Sequence, residues 1–186
     1  MRIISGNFKG KRFFLPEDNN TRPLRDMVKE SIFNLLLHSN KININLKNSV
    51  ILDLFSGSGS FGIECISRQA RKVFFIENYS KALEILKKNI TNFDIINHCI
   101  VLNEDCFKIN TYEKYLNKKF DIIFMDPPYK EKKINNLIDE IQDRKFLNKE
   151  GVIIIHRNKK DDVVISKNLN VLDERIYGKS KIIIGN

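Results

Sequence analysis

Tryptophan is absent from the 186-residue chain, and cysteine, proline and glycine are sparse at three, four and eight residues. The three cysteines, Cys65, Cys99 and Cys106, are odd in number and show no C-x-x-C spacing, which argues against a disulfide framework and a zinc site alike. No metal centre is expected. Long apolar runs are missing as well: stretches such as Val152 to Ile155 fall far below the ~18 residues of a membrane-spanning helix. The start, MRIISGNFKG, has no signal-peptide hydrophobic segment. A soluble, cytoplasmic monomer without a membrane partner is the expectation. Repeats and low-complexity linkers are also lacking, and 42% hydrophobic with 30% charged residues suits one domain over residues 1–186 with a core that needs no staples. Within it, residues 1–48 read as a basic arm and helix, and 49–186 as an α/β core.

Acidic residues are missing from positions 1–16, which carry Arg2, Lys9, Lys11 and Arg12. Over the whole chain the net charge is +9, and Lys+Arg against Asp+Glu runs 9 to 4 in residues 1–48, 10 to 10 in 49–129 and 13 to 9 in 130–186. A neutral centre with basic flanks is the distribution expected where an arm meets phosphate. With Arg22 further on, these residues form the candidate nucleic-acid contact. The compositional alternative is that an excess of lysine simply places cations everywhere.

Short β-branched and aromatic runs at Val50–Phe55, Val73–Glu77, Ile100–Leu102, Phe120–Met125 and Val152–His156 alternate with helical stripes. Ala82, Leu83, Leu86 and Ile90 form one stripe, and Ile134, Leu137, Ile138 and Ile141 another. This alternation predicts a mostly parallel sheet covered on both faces. A first helix with Val28, Ile32, Leu35 and Leu36 on one face begins just after Pro23. Beyond the fifth strand, Asn168–Tyr177 and Ser180–Gly185 bracket Gly178 as an antiparallel edge hairpin, and the first ~20 residues read as a small β-hairpin extension.

Asp53-Leu54-Phe55-Ser56-Gly57-Ser58-Gly59-Ser60-Phe61-Gly62 follows the first strand and opens a short helix. Glycines at such a turn let a ligand approach the main chain beside a helix N-terminus. The spacing Gly57-x-Gly59-x-x-Gly62, with Glu77 20 residues past Gly57, also matches a dinucleotide fingerprint. Two further acids favour a different nucleoside cofactor, because Asp53 and Asp105 would repel a pyrophosphate but accept from amines. Acids after strands one, two and three suit S-adenosylmethionine, with Glu77 on the ribose hydroxyls, Asp105 on the adenine amine and Asp53 near the methionine amine. The candidate cofactor set is Asp53, Phe55, Gly57, Ser58, Gly59, Glu77, Asn78, Asp105, Cys106 and Asp126.

The fourth strand runs straight into Asp126-Pro127-Pro128-Tyr129. Consecutive prolines supply no N–H and hold their predecessors extended, so the turn presents only acceptors. Such a turn suits the amino group of a base: Asp126 and the Pro127 carbonyl would accept its N–H bonds, Pro128 would keep the turn rigid and Tyr129 would stack on the ring. His38, His98 and His156 lie far from these motifs in sequence and are read as structural.

These pieces together resemble the RsmD-type bacterial 16S ribosomal RNA guanine-N2 methyltransferases over nearly the whole chain. The matching segments are Met1–Gly10, Thr21-Arg22-Pro23, Val28 to Asn34, Leu52–Gly59, Phe61–Glu64, Ser67-Arg68, Glu77, Asp105, Phe120–Tyr129 and Arg175 to Ser180. The resemblance implies a Rossmann-like class I S-adenosylmethionine-dependent fold with a seven-stranded, mostly parallel sheet. It also implies methyl transfer to N2 of a guanine in 16S rRNA of the small subunit or its assembly intermediate. Leu24 and Arg25 stand where the family usually has threonines. The alternative readings are an adenine-N6 or cytosine-N4 DNA methyltransferase, a non-catalytic ribosome-assembly factor that keeps the fold, and a nicotinamide-dependent oxidoreductase.

Overall fold

The computed structural model describes residues 1–18, 24–116, 119–128, 131–161 and 164–186. Seven strands, β1 (Val50–Leu54), β2 (Lys72–Ile76), β3 (Cys99–Leu102), β4 (Phe120–Met125), β5 (Leu147–Asn158), β6 (Val171–Tyr177) and β7 (Ser180–Gly185), form one sheet in the order β3-β2-β1-β4-β5-β7-β6. β1 to β5 pair in parallel, whereas β7 is antiparallel to both β5 and β6. The α-helices among the described residues are α1 (Asp26–His38), α2 (Ser60–Ser67), α3 (Ser80–Asn92), α4 (Ile109–Tyr112) and α5 (Ile134–Asp143). The chain winds from β1 outward to β3, then crosses back to β4 on the other side of β1. The C-terminal ends of β1 and β4 therefore flank the point where strand order reverses, the crevice where open α/β sheets bind ligands.

Side-chain alternation along the strands builds two cores. Ile51, Val73, Phe75, Ile122, Phe124 and Ile154 face α1, α2 and α3, while Leu52, Leu54, Phe74, Ile123, Met125 and Ile155 face α4 and α5. All residues of the two helical stripes are buried, as the spacing predicts. On the first face an aromatic column ties helix to sheet: Phe33 of α1 stacks on Phe61 of α2 at 5.3 Å, and Phe61 on Phe124 of β4 at 4.0 Å. Gly62 makes this approach possible, since a Cβ there would lie 2.4 Å from the Phe75 ring.

The edge hairpin folds with a swap in position: β7 enters between β5 and β6, so β6 takes the edge. The reason is visible in composition, because Ile182–Ile184 are buried on both faces whereas much of β6 is polar and exposed. The N-terminal hairpin pairs antiparallel at Arg2 and Arg12, with Ile3 N–H donating to the Lys11 carbonyl and Gly10 N–H to the Ile3 carbonyl, both at 2.9 Å. Side chains of the core take further backbone groups of the arm. Glu64 of α2 accepts from Ile4 and Ser5 N–H at 2.8 and 2.9 Å, Ser67 accepts from Phe8 N–H at 3.0 Å, and Asn89 of α3 accepts from Phe14 N–H at 2.8 Å. Glu64 is fully buried and also meets Lys29 Nζ at 3.2 Å and Arg68 Nε at 2.9 Å. The arm is thus fastened to the sheet's first helical face.

Candidate active site

β1 delivers Asp53 to the crevice on the side of α2. The residue is 1% exposed, and Oδ2 accepts from Gly62 N–H at 3.0 Å, so the carboxyl fastens the first turn of the helix that the glycine turn opens. Burial pushes the Asp53 carboxyl well above its usual range. The Gly62 N–H partly offsets that rise, and the nearby Asp126 and Glu77 charges add to it.

The turn itself is built by left-handed backbone at Phe55, Gly57 and Gly59 (φ 58, 55 and 79°). A Cβ on Gly59 would lie 2.4 Å from Leu86 Cδ1, whereas one on Gly57 would meet nothing within 4 Å. Gly59 therefore serves packing, and Gly57 leaves open space over the main chain. Ser58 is buried and its carbonyl accepts from Asn89 Nδ2 at 2.9 Å, the same amide that donates to the Phe14 carbonyl at 3.1 Å. One side chain thereby joins the glycine turn to the N-terminal arm.

Glu77 sits just past β2, facing the turn. Its carboxylate accepts from Gly57 N–H at 2.7 Å, Tyr79 N–H at 2.8 Å and Asn78 N–H at 3.0 Å, with the Asn78 side chain exposed beyond it. Past β3, Asp105 accepts from Phe107 N–H at 3.0 Å, and a cleft of about 190 Å³ opens beside it against Lys133, Leu137 and Glu140. Phe55 and Phe107 meet at 5.3 Å across this end of the site. Cys106 follows Asp105 directly. Its thiol is turned into the core, where it accepts from Phe55 N–H at 3.2 Å and is pushed well above the usual thiol range by burial. The side chain braces the glycine turn.

Asp126 follows β4 and keeps 19% of its side chain exposed. Lateral register aligns Asp53 with Phe124 and Met125 with Ile155, so Asp126, two residues past Phe124 and one past Met125, shares a face with Asp53 and neighbours His156. The contact is direct: His156 Nδ1 lies 2.8 Å from Asp126 Oδ1, and its Nε2 lies 2.9 Å from Ser180 Oγ of β7. Thirty positions separate the two residues in sequence, and only the β4–β5 pairing brings them together.

The next residue, Arg157, points to the opposite face. It donates to the Pro128 carbonyl at 3.4 Å and the Glu131 carbonyl at 2.9 Å, and it pairs with Asp161. Pro127 is buried and Pro128 exposed. Tyr129 and Arg22, with the Thr21-Arg22-Pro23 segment, lie outside the described residues. Arg2, Lys9, Lys11 and Arg12 are all exposed on the arm, on the α2 side of the sheet. Among the described residues no helix is long and apolar enough to cross a membrane.

The family model described as conserved hypothetical protein 95 matches residues 1–186. Ribosomal RNA small subunit methyltransferase D of Buchnera aphidicola subsp. Acyrthosiphon pisum is 34% identical over 174 residues, covering 94% of this chain and 86% of its own. The Haemophilus influenzae protein of the same name is 29% identical over 180 residues, 96% of this chain and 89% of its own. Among solved structures, yhhF of Escherichia coli aligns with a TM-score of 0.80 at 24% identity, over 100% of this chain and 96% of that one. With the family model matching the whole chain and a relative at 34% identity over most of it, the chain belongs to the RsmD family, with its Rossmann-like methyltransferase fold.

Proposed function

We propose that this protein is an S-adenosylmethionine-dependent ribosomal RNA methyltransferase that modifies the exocyclic N2 of a guanine in 16S rRNA of the small subunit, in the cytoplasm. The relatives' names support rRNA as the substrate class. The observation that carries the chemistry is the convergence of Asp53, Glu77 and Asp126 at the strand-order reversal, beside open main chain at Gly57.

The donor set fits the cofactor. Asp53 would face the methionine ammonium, the cation that a buried carboxyl between two carboxylates calls for. Glu77 would face the ribose; an ionised carboxylate has about four lone-pair sites, and its three N–H bonds leave room for one hydroxyl without displacing Gly57. Asp105, beside the cleft against α5, would accept from the adenine amine. When bound, S-adenosylmethionine supplies an electrophilic methyl group.

Asp126 does the rest of the polar work. An exocyclic base nitrogen is a poor nucleophile because its lone pair is delocalised into the ring. Asp126 accepts an N–H of that amine, fixes its orientation toward the donor and stabilises the positive charge that develops on nitrogen. The proline turn keeps competing donors away, and Tyr129 would stack on the base.

Transfer of labelled methyl to unmodified small subunits, naked 16S RNA and duplex DNA, followed by nucleoside analysis, tests this directly. Label in N2-methylguanosine from rRNA is expected; label confined to DNA would establish the DNA-methyltransferase alternative. Asp126→Ala should lower the rate by about 100-fold or more, the scale for a lost transition-state acceptor, with cofactor affinity within several-fold. Near-normal turnover by that variant would remove Asp126 from the reaction.

A further inference from the structure

We propose that His156 is the positioning residue of the methyl-transfer site: it holds Asp126 through Nδ1, with its ring steadied at Nε2 by Ser180. This rests on the assignment of Asp126 as the acceptor for the target amine. His156 is 5% exposed, and its ring lies between Asp126 Oδ1 at 2.8 Å and Ser180 Oγ at 2.9 Å.

The hydrogen-bond inventory fixes the roles. An ionised carboxylate only accepts, so Nδ1 carries the proton that bonds Asp126 Oδ1. In the neutral ring Nε2 is then the acceptor, and the hydroxyl of Ser180 donates to it. Ser180 is 7% exposed and anchored on β7, between β5 and β6. The ring is thereby held at both nitrogens by two different strands.

The consequence falls on Asp126. A carboxylate past the end of a strand rotates about χ1 and χ2 unless something holds it, and its two oxygens are equivalent. Anchoring Oδ1 to the buried imidazole leaves Oδ2 for the substrate and sets the plane of the carboxylate. A displacement of about 1 Å at such a group costs on the order of 100-fold in rate. His156 touches neither base nor cofactor in this assignment; it acts through Asp126.

Side-chain geometry supplies a test that separates this role from packing. The amide nitrogen of asparagine lies the same number of bonds from Cβ as His Nδ1, and that of glutamine the same number as His Nε2. His156→Asn can therefore keep the bond to Asp126, while His156→Gln keeps only the one toward Ser180. Single-turnover rates are measured at saturating cofactor and rRNA substrate, alongside equilibrium affinities and urea midpoints. The expected result is His156→Asn within about threefold of wild type, and His156→Gln and His156→Ala slower by about 10- to 100-fold with affinities within about twofold. Equal rates for the Asn and Gln variants would overturn the proposal, as would a Gln variant that loses rate only in proportion to affinity. If the Ala variant fails to fold, the Asn and Gln pair still decides. Asp126→Ala, run in parallel, keeps the two assignments apart: its activity would sink the role of Asp126, whereas an inactive Asp126→Ala beside fully active His156→Gln would sink only that of His156.

Discussion

At the scale of single residues, Asp53 is where fold and chemistry pull against each other. Its carboxyl is buried and faces the charges of Asp126 and Glu77, so its folded-state pKa lies well above the unfolded value of about 3.9. The unfolded chain loses this proton near pH 4 while the folded chain keeps it to higher pH. Across that window the native state binds more protons, so the Asp53 contribution to stability falls as pH rises. Asp53→Asn removes the titration and retains a carbonyl oxygen for Gly62 N–H. The variant should gain stability over wild type as pH rises above about 4, and its urea midpoint should fall less over that rise. Parallel pH dependences of the two midpoints would show that Asp53 does not titrate this way. The same variant should bind S-adenosylmethionine more weakly, because the ammonium loses its countercharge. On the proposed reading, stability is given up here in exchange for a group that faces the cofactor's ammonium, the pattern expected where a residue is kept for function.

Elements show which parts of this molecule were legible in the sequence. Phe120–Met125 is a strand with the bounds that its apolar run predicts, and the buried stripes of α3 and α5 follow directly from their spacing. β5 is longer than its apolar run, because Leu147–Glu150 carries no hydrophobic pattern and is drawn into the strand by pairing at Phe120. His156 was out of reach for a related reason: strand adjacency, not local sequence, puts it beside Asp126. Lys29 and Glu64 were equally hidden, since charged residues on amphipathic helices read as solvent-facing, yet both have fully buried side chains paired across 35 positions. Burial lowers the Lys29 pKa and the Glu64 charge opposes that fall. Glu64→Gln leaves the ammonium buried without its countercharge and should cost about 3–5 kcal/mol in urea denaturation. Combining it with Lys29→Met removes both charges and should cost less than the two single changes added together. Strict additivity would mean the pair does not hold arm, α1 and α2 together as a unit.

At the scale of the whole molecule, the +9 charge acquires a direction from the way the arm is fastened. Arg2, Lys9, Lys11 and Arg12 sit exposed on a segment pinned by Glu64, Ser67 and Asn89, and Asn89 also holds the Ser58 carbonyl of the glycine turn. These cations are therefore fixed relative to the crevice rather than tethered loosely, and they lie on the sheet face that Asp53, Asp126 and His156 share. Phosphate contacts position a nucleic acid without reading its sequence, so a rigid cationic arm would set how far a looped-out base reaches toward Asp126. Replacing Lys9, Lys11 and Arg12 with glutamine should weaken rRNA binding and reduce the slope of log K against log salt by about 2, at about 0.7 per lost single-strand phosphate contact. The variant should retain cofactor affinity, because none of the three side chains enters the glycine turn. An unchanged salt slope would move the RNA contact elsewhere on the basic flanks. A reduced slope accompanied by normal single-turnover rate at saturating RNA would assign the arm to capture alone. A rate loss that persists at saturation would mean that the arm also sets the register of the base at Asp126, which is what its direct link to the glycine turn through Asn89 leads us to expect.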